Sequence, residues 1–247
     1  MSVETIAQLY DRHGNIGVNR RFNISFKHRY VYSAIAKVGT TSLNHIFQKL
    51  EMEELNRKWI DFHPVVEHSP FIKPYQLSRQ QLADILFGDD FFRFLFVRDP
   101  FRRAVSAWRD KINGNRPEKK QILGALGLDA EELSVAVSFL DFLRAVQSIQ
   151  DDKRDDHWAT QTYLSCADCV LYDYFGRMEN FDDAIHRVGE KIGLELAPYY
   201  PPEKMKNAVD DKRPFQEDYC SESVALVQEI YAGDFKQFGY DSALEAK

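Results

Sequence analysis

Apolar residues along this chain fall into short continuous runs, separated by stretches in which they recur at helical spacing. The runs predict strands over about 30–36, 58–63, 92–98 and 169–175. The periodic stretches predict helices over about 41–52, 78–87, 101–112, 130–149, 180–192 and 217–231, with Ser78-x-x-Gln81 as a capping box and Asn180 as a cap. Strands that alternate with helices imply parallel crossovers. The expected fold is therefore α/β, a three-layer sandwich around a central parallel sheet, with ligands at the strands' C-terminal ends. Residues 113–165 read as a mainly helical insertion, a candidate lid or acceptor wall. Residues 1–29 are an N-terminal extension whose Arg20, Arg21, Lys27 and Arg29 either cover a site or decorate the surface.

Two strand-turn-helix units carry candidate chemistry. In the first, Tyr30–Ala36 runs into Lys37-Val38-Gly39-Thr40-Thr41-Ser42 and directly into a helix. Backbone N–H groups at such a turn converge on an anion, the three hydroxyls add donors, and Lys37 adds a point charge. The order of a Walker A loop is absent, because Lys37 precedes the single glycine. An ordinary N-capped helix gives the same pattern. The second unit is the apolar run Phe94–Val97, followed by Arg98-Asp99-Pro100, with Phe101, Val105 and Trp108 at helical spacing. Arg98 at the strand end and Ser106 two turns into the helix suit a second phosphate, whereas the plain alternative is an Arg98–Asp99 ion pair at a helix start. A ligand with two separated phosphates would use both units.

With those residues in view, the chain resembles the carbohydrate sulfotransferases of the chondroitin, dermatan and HNK-1 type, which use 3′-phosphoadenosine 5′-phosphosulfate (PAPS). Lys37 to Ser42 is similar to their 5′-phosphosulfate loop, and Arg98 to Lys111 to their 3′-phosphate motif. The block from His157-Trp158 through Cys166-x-x-Cys169 and Tyr172-Asp173 to Gly176-x-x-Glu179, and the ending Tyr231 to Tyr240, resemble two further segments. Thr40 replaces a common cysteine, and Thr160 replaces the proline usual after His-Trp. The resemblance implies a P-loop-like sulfotransferase fold, PAPS as donor with PAP as product, no metal, and a hydroxyl of a carbohydrate or glycoconjugate as acceptor. It also implies that Lys37 neutralises the leaving oxygen, while Val38, Gly39, Thr40, Thr41, Ser42, Arg98 and Ser106 hold the donor.

The resemblance also implies a general base between the two units, in Trp59 to His68, where related sulfotransferases place a catalytic His or Glu. His63 is the first choice because imidazole titrates near neutral pH, with Glu67 and His68 as alternatives. Two other functions remain open, a non-catalytic relative that binds PAP or PAPS and a P-loop-type small-molecule kinase. The kinase would need a second loop glycine and a magnesium-binding Asp after a strand.

Composition narrows this further. A chain of 247 residues, 44% hydrophobic and without a Gly/Ser/Pro linker or repeat, is expected to form a single domain over 1–247. A formal net charge of −6 argues against a nucleic-acid partner. Between Arg93 and Lys120 the local balance is instead basic, which favours anions nearby. Cys166 and Cys169 read first as structural thiols, then as a disulfide pair, and last as half a metal site. The acidic run Asp151 to Asp156 reads as a solvated loop. The start Met1-Ser-Val-Glu-Thr has no basic n-region and no apolar run near the roughly 18 residues of a span, so the expectation is a soluble, cytoplasmic bacterial protein.

Overall fold

A computed structural model describes residues 3–53, 69–201 and 213–245. The chain divides into two compact units, Met1–Val97 with Ser165–Asn207, and Arg98–Leu164 with Ala208–Lys247.

The first unit holds a four-stranded sheet in the order β1 (Phe22–Ser25), β2 (Tyr30–Ser33), β3 (Phe92–Val97), β4 (Tyr174–Arg177). β2, β3 and β4 run parallel, as their helical crossovers require, but β1 pairs antiparallel with β2. The sheet is therefore mixed, which corrects the all-parallel expectation. β1 follows α1 (Val3–Arg21) and turns back through four residues with Arg29 in the left-handed region, a hairpin without a glycine to announce it. Ile72 bridges to Ile24 and extends the edge antiparallel. The strand expected over 58–63 lies outside the described residues. The strand expected over 169–175 begins later, because the N–H groups of Cys169 and Val170 turn back to the Cys166 carbonyl at 2.9 and 2.8 Å.

Alternation along the strands sends side chains to two faces, and helices pack on both. On one face Tyr30, Tyr32 and Phe94 surround Phe47 of α2 (Thr40–Met52), and Phe96 meets Phe181 of α8 (Phe181–Ile192). On the other, Phe22, Ile24 and Val31 join Ile6, Leu9 and Val18 of α1 and Leu82, Ile85 and Leu86 of α3 (Arg79–Phe87). The Ser78 capping box is formed, with the Gln81 N–H donating to Ser78 Oγ at 3.2 Å and the Ser78 N–H donating to Gln81 Oε1 at 2.9 Å. Asn180 makes no side-chain cap to α8. Arg93 at the start of β3 is buried and forks onto Asp173, whose carboxyl burial would raise but the guanidinium holds below its ordinary value.

The second unit is helical: α4 (Pro100–Ala107), α5 (Lys119–Ala125), α6 (Phe139–Ser148), most of α7 (Gln161–Ser165), α9 (Ser221–Ile230) and α10 (Ala232–Phe238). Its core gathers Phe101, Val105, Trp108, Phe142, Trp158, Val227 and Tyr231. Two helices are shorter than their apolar spacing suggested. α4 passes into a π-helical turn, Trp108–Ile112. α6 begins only at Phe139, where Ser138 Oγ accepts the Asp141 N–H, and residues 130–138 are irregular. No described helix is long and apolar enough to cross a membrane.

Candidate functional site

In the first unit β2 ends at Ser33, and residues 34–39 lead into α2. Val38 is fully buried and pins the loop from below. Lys37 and Gly39 on either side of it both adopt the left-handed region, with φ 69° and 76°. For lysine that backbone carries strain, of order 1 kcal/mol or more, which the surrounding fold must hold in place. Gly39 is called for by its φ; a Cβ there would also stand 2.6 Å from Met178 Cε and 2.7 Å from its Sδ, the movable end of a flexible side chain. The Thr40 hydroxyl donates to the Ile35 carbonyl at 2.5 Å and so braces the loop rather than projecting from it.

Helix α2 then starts with no N-cap side chain and no acidic residue in its first turn. Its macrodipole therefore presents partial positive charge at residues 40–42, and the first turn itself carries no carboxylate. Thr41, Ser42 and Lys37 are each half-buried there. A glycine-hinged loop with backbone donors, hydroxyls and a lysine at an uncapped helix start is a donor set suited to a phosphate-type anion.

In the second unit Arg98 follows β3 directly in the chain, and Asp99 caps α4 by accepting the Arg102 N–H at 2.9 Å. Gln161, fully buried, clasps the Arg98 backbone from both sides. Its Oε1 accepts the Arg98 N–H and its Nε2 donates to the Arg98 carbonyl, each at 2.9 Å. Behind Gln161 stands Asp234, also fully buried, which accepts the N–H groups of Gln161 and Thr162 at 2.9 and 2.8 Å and the Thr162 hydroxyl at 2.9 Å. Burial raises the Asp234 carboxyl above its ordinary value, and the nearby Arg103 pulls it part of the way back. Arg103 is itself buried and donates to the carbonyls of Ala159 and Asp156 at 2.7 and 3.1 Å. Ser106 lies half-buried on α4. Gln161 and Asp234 were not foreseen as site residues. In the sequence they stand among other polar residues, Gln161 between Thr160 and Thr162 and Asp234 close to Lys236 and Gln237, so nothing local sets them apart.

His63, Glu67 and His68 lie outside the described residues. His157 pairs with Asp155 at 2.5 Å, and beside it Trp158 is buried with its indole N–H on Gln121 Oε1 at 2.7 Å. The acidic run is solvated in part: Asp152 and Lys153 are exposed, whereas Asp151 accepts from the Thr160 N–H and hydroxyl and pairs with Arg154. Cys166 and Cys169 are free thiols, with Cys166 Sγ 3.1 Å from His13 Nε2.

A family model described as the sulfotransferase family matches residues 20–241. Among curated proteins the chain is similar to carbohydrate sulfotransferase 10 of Xenopus laevis, 27% identical over 89% of this chain and 67% of the relative. It is also similar to carbohydrate sulfotransferase 14 of Mus musculus (25% identity; 90% of this chain, 60% of the relative) and carbohydrate sulfotransferase 12 of Mus musculus (27%; 87% and 58%). The chain thus spans 58 to 67% of the length of these three relatives. No solved structure matches.

Proposed function

The chain belongs to the sulfotransferase family, and from that premise we propose that it moves the sulfuryl group of PAPS to a hydroxyl of a carbohydrate or glycoconjugate by in-line displacement. The observation that carries the reading is the Lys37–Ser42 turn, whose strained lysine, left-handed glycine and uncapped helix start assemble an anion cradle. The names of the relatives supply the acceptor class. The family match runs through both compact units, which supports one catalytic domain with a P-loop-like sulfotransferase fold.

When bound, PAPS supplies an activated sulfuryl group whose transfer leaves negative charge on an oxygen of the 5′-phosphate. In this proposal the backbone amides of Gly39 to Ser42 hold that phosphate still, and Lys37 neutralises the charge as it grows. Arg98 and Ser106 take the 3′-phosphate, with Gln161 fixing the Arg98 backbone and so the origin of its side chain. The base that accepts the hydroxyl proton comes from His63, Glu67 or His68. A singly charged sulfuryl group asks for no metal.

The test is nucleotide binding followed by thermal shift. PAP should raise the melting temperature without added metal, since a ligand that binds only the native state must stabilise it. Arg98→Ala and Ser106→Ala should weaken PAP far more than 5′-AMP, about tenfold or more for a lost charge-assisted hydrogen bond. Equal stabilisation by PAP and 5′-AMP in the unsubstituted protein would remove the 3′-phosphate from the reading.

A further inference from the structure

Lys73 is an expensive residue where it stands. Its side chain is 4% exposed, yet its ammonium has no carboxylate partner among the described residues. Nζ donates to Asn23 Oδ1 at 2.5 Å and lies 5.8 Å from the centre of the Phe71 ring. One neutral acceptor and one ring face leave a three-donor cation poorly compensated, and burying such a charge costs several kcal/mol. A methionine of similar length would fill the same space without burying a charge, leaving only Asn23 Oδ1 to find another donor. Packing alone therefore does not account for the lysine.

The fold nevertheless fixes this ammonium with care. Asn23 is 5% exposed, and its Nδ2 is committed to the carbonyls of Tyr32 and Arg21 at 3.2 and 3.4 Å, so Oδ1 must face Lys73. The Ile24–Ile72 bridge sets the backbone one residue earlier, and Gln76 Oε1 accepts the Lys73 N–H at 2.7 Å one residue before Pro74. Burial pulls the ammonium down to about 8, so it still carries charge at neutral pH.

Register says which end of the sheet this is. Phe22 pairs with Ser33 and Asn23 with Tyr32, so Asn23 lies at the C-terminal end of β2, from which the Lys37 loop departs.

We propose that Lys73, aimed by Asn23, is a second cation of the sulfuryl-transfer site and holds a non-bridging oxygen of the donor's sulfuryl group. This rests on the sulfotransferase reading. An oxyanion with a single charge reaches that end of the sheet in every turnover as the sulfuryl group itself, whereas a hydroxyl acceptor brings none. Lys73 takes no proton and forms no bond. It places the group and compensates its oxygens while the sulfur passes from one oxygen to another.

The test compares PAPS with PAP, which differ by the sulfuryl group alone, by calorimetric titration on the whole chain, beside a melting curve without ligand. Lys73→Met should still fold and melt cooperatively, bind PAP within twofold of the unsubstituted protein, and bind PAPS about tenfold more weakly. Lys73→Gln, which keeps a donor to Asn23 but no charge, should lose PAPS affinity in the same way. PAPS and PAP bound unchanged by a folded variant would overturn the assignment while leaving the sulfotransferase reading intact. So would failure of both variants to fold, since the lysine would then be structural. Absence of PAP binding to the unsubstituted protein would overturn both.

Discussion

Replacing Asp234 by alanine tests the frame behind Arg98. The carboxylate is fully buried and accepts three hydrogen bonds between 2.8 and 2.9 Å, from the N–H groups of Gln161 and Thr162 and the hydroxyl of Thr162. Alanine leaves these donors without their acceptor where water has no access, at about 1–3 kcal/mol for each group left unmade. Arg103 also loses the anion that offsets its own burial. Against this stands a relief, because burial opposes the charged carboxylate. The net expectation is a loss of about 3–4 kcal/mol, a large share of the roughly 5–15 kcal/mol by which a domain is stable. Asp234→Asn keeps the shape and one acceptor oxygen and should lose about half as much. Urea denaturation gives both values from the shift in midpoint at unchanged slope. The second readout is functional. Gln161 starts α7 under this carboxylate and clasps the Arg98 backbone, so the asparagine variant should bind PAP more weakly while 5′-AMP is little affected. A stability change below about 0.5 kcal/mol in the alanine variant would refute the frame, since a surface substitution costs no more than that.

Three further outcomes follow from other parts of the molecule. Lys37→Ala should lower turnover by more than it lowers PAPS affinity, because the charge counts most as the leaving oxygen becomes negative; equal losses would make Lys37 a ground-state ligand only. Burial, then the charges of Arg21 and Arg12, pull the His13 imidazole down to about 4. The unfolded chain therefore takes this proton near 6.5 and the folded chain does not, so stability should fall as pH drops from 6.5 towards 4, more steeply in the unsubstituted protein than in His13→Gln; parallel urea midpoints across that window would contradict the assignment. Among the thiols, the hydrogen bond with Cys169 and then burial push Cys166 up, while the same hydrogen bond lowers Cys169. Iodoacetamide should thus label Cys169 well before Cys166, as mass spectrometry of timed digests will show, and simultaneous labelling would mean that the pair is not polarised.

Elements with a local signature were legible in the sequence. The Ser78 capping box, the start of α2 after Gly39 and the run Phe92–Val97 all follow from neighbours within a few residues of one another. Elements decided at long range were not. β1 has no turn motif before β2 and is a strand because both its faces are covered, one by α1 and α3. The stretch 169–175 has the composition of a strand, but the backbone of Cys166 in the left-handed region captures its first amides. Asn180 looked like a cap, yet a short 3₁₀ turn over Met178–Asn180 leads into α8 without one. For the candidate site, the strand-turn-helix units could be read as motifs, whereas Gln161, Asp234 and Lys73 gain their meaning only from partners 63, 73 and 50 positions away.

The basic stretch shows the same limit in electrostatic form. At least seven of its cations are committed to partners within their own unit. Arg93 forks onto Asp173, and Arg102, Arg109, Lys111 and Lys120 pair with Glu245, Asp218, Glu118 and Glu131. Arg103 and Lys119 are buried against backbone carbonyls. Lys119 and Lys120, neighbours in the chain, thus do different things, the first tying the irregular stretch at Leu133 and the second making an exposed pair of small value. A net balance counted along the chain overstates the field, because paired charges project a dipole that falls off within a Debye length of about 8–10 Å. In the proposed reading, anion recognition then falls to short-range groups, namely the loop amides, Lys37, and the few cations whose position the fold fixes. That is also why a buried ammonium such as Lys73 counts for more than the exposed lysines that outnumber it: in a low-dielectric setting, one fixed charge outweighs several that water and salt already screen.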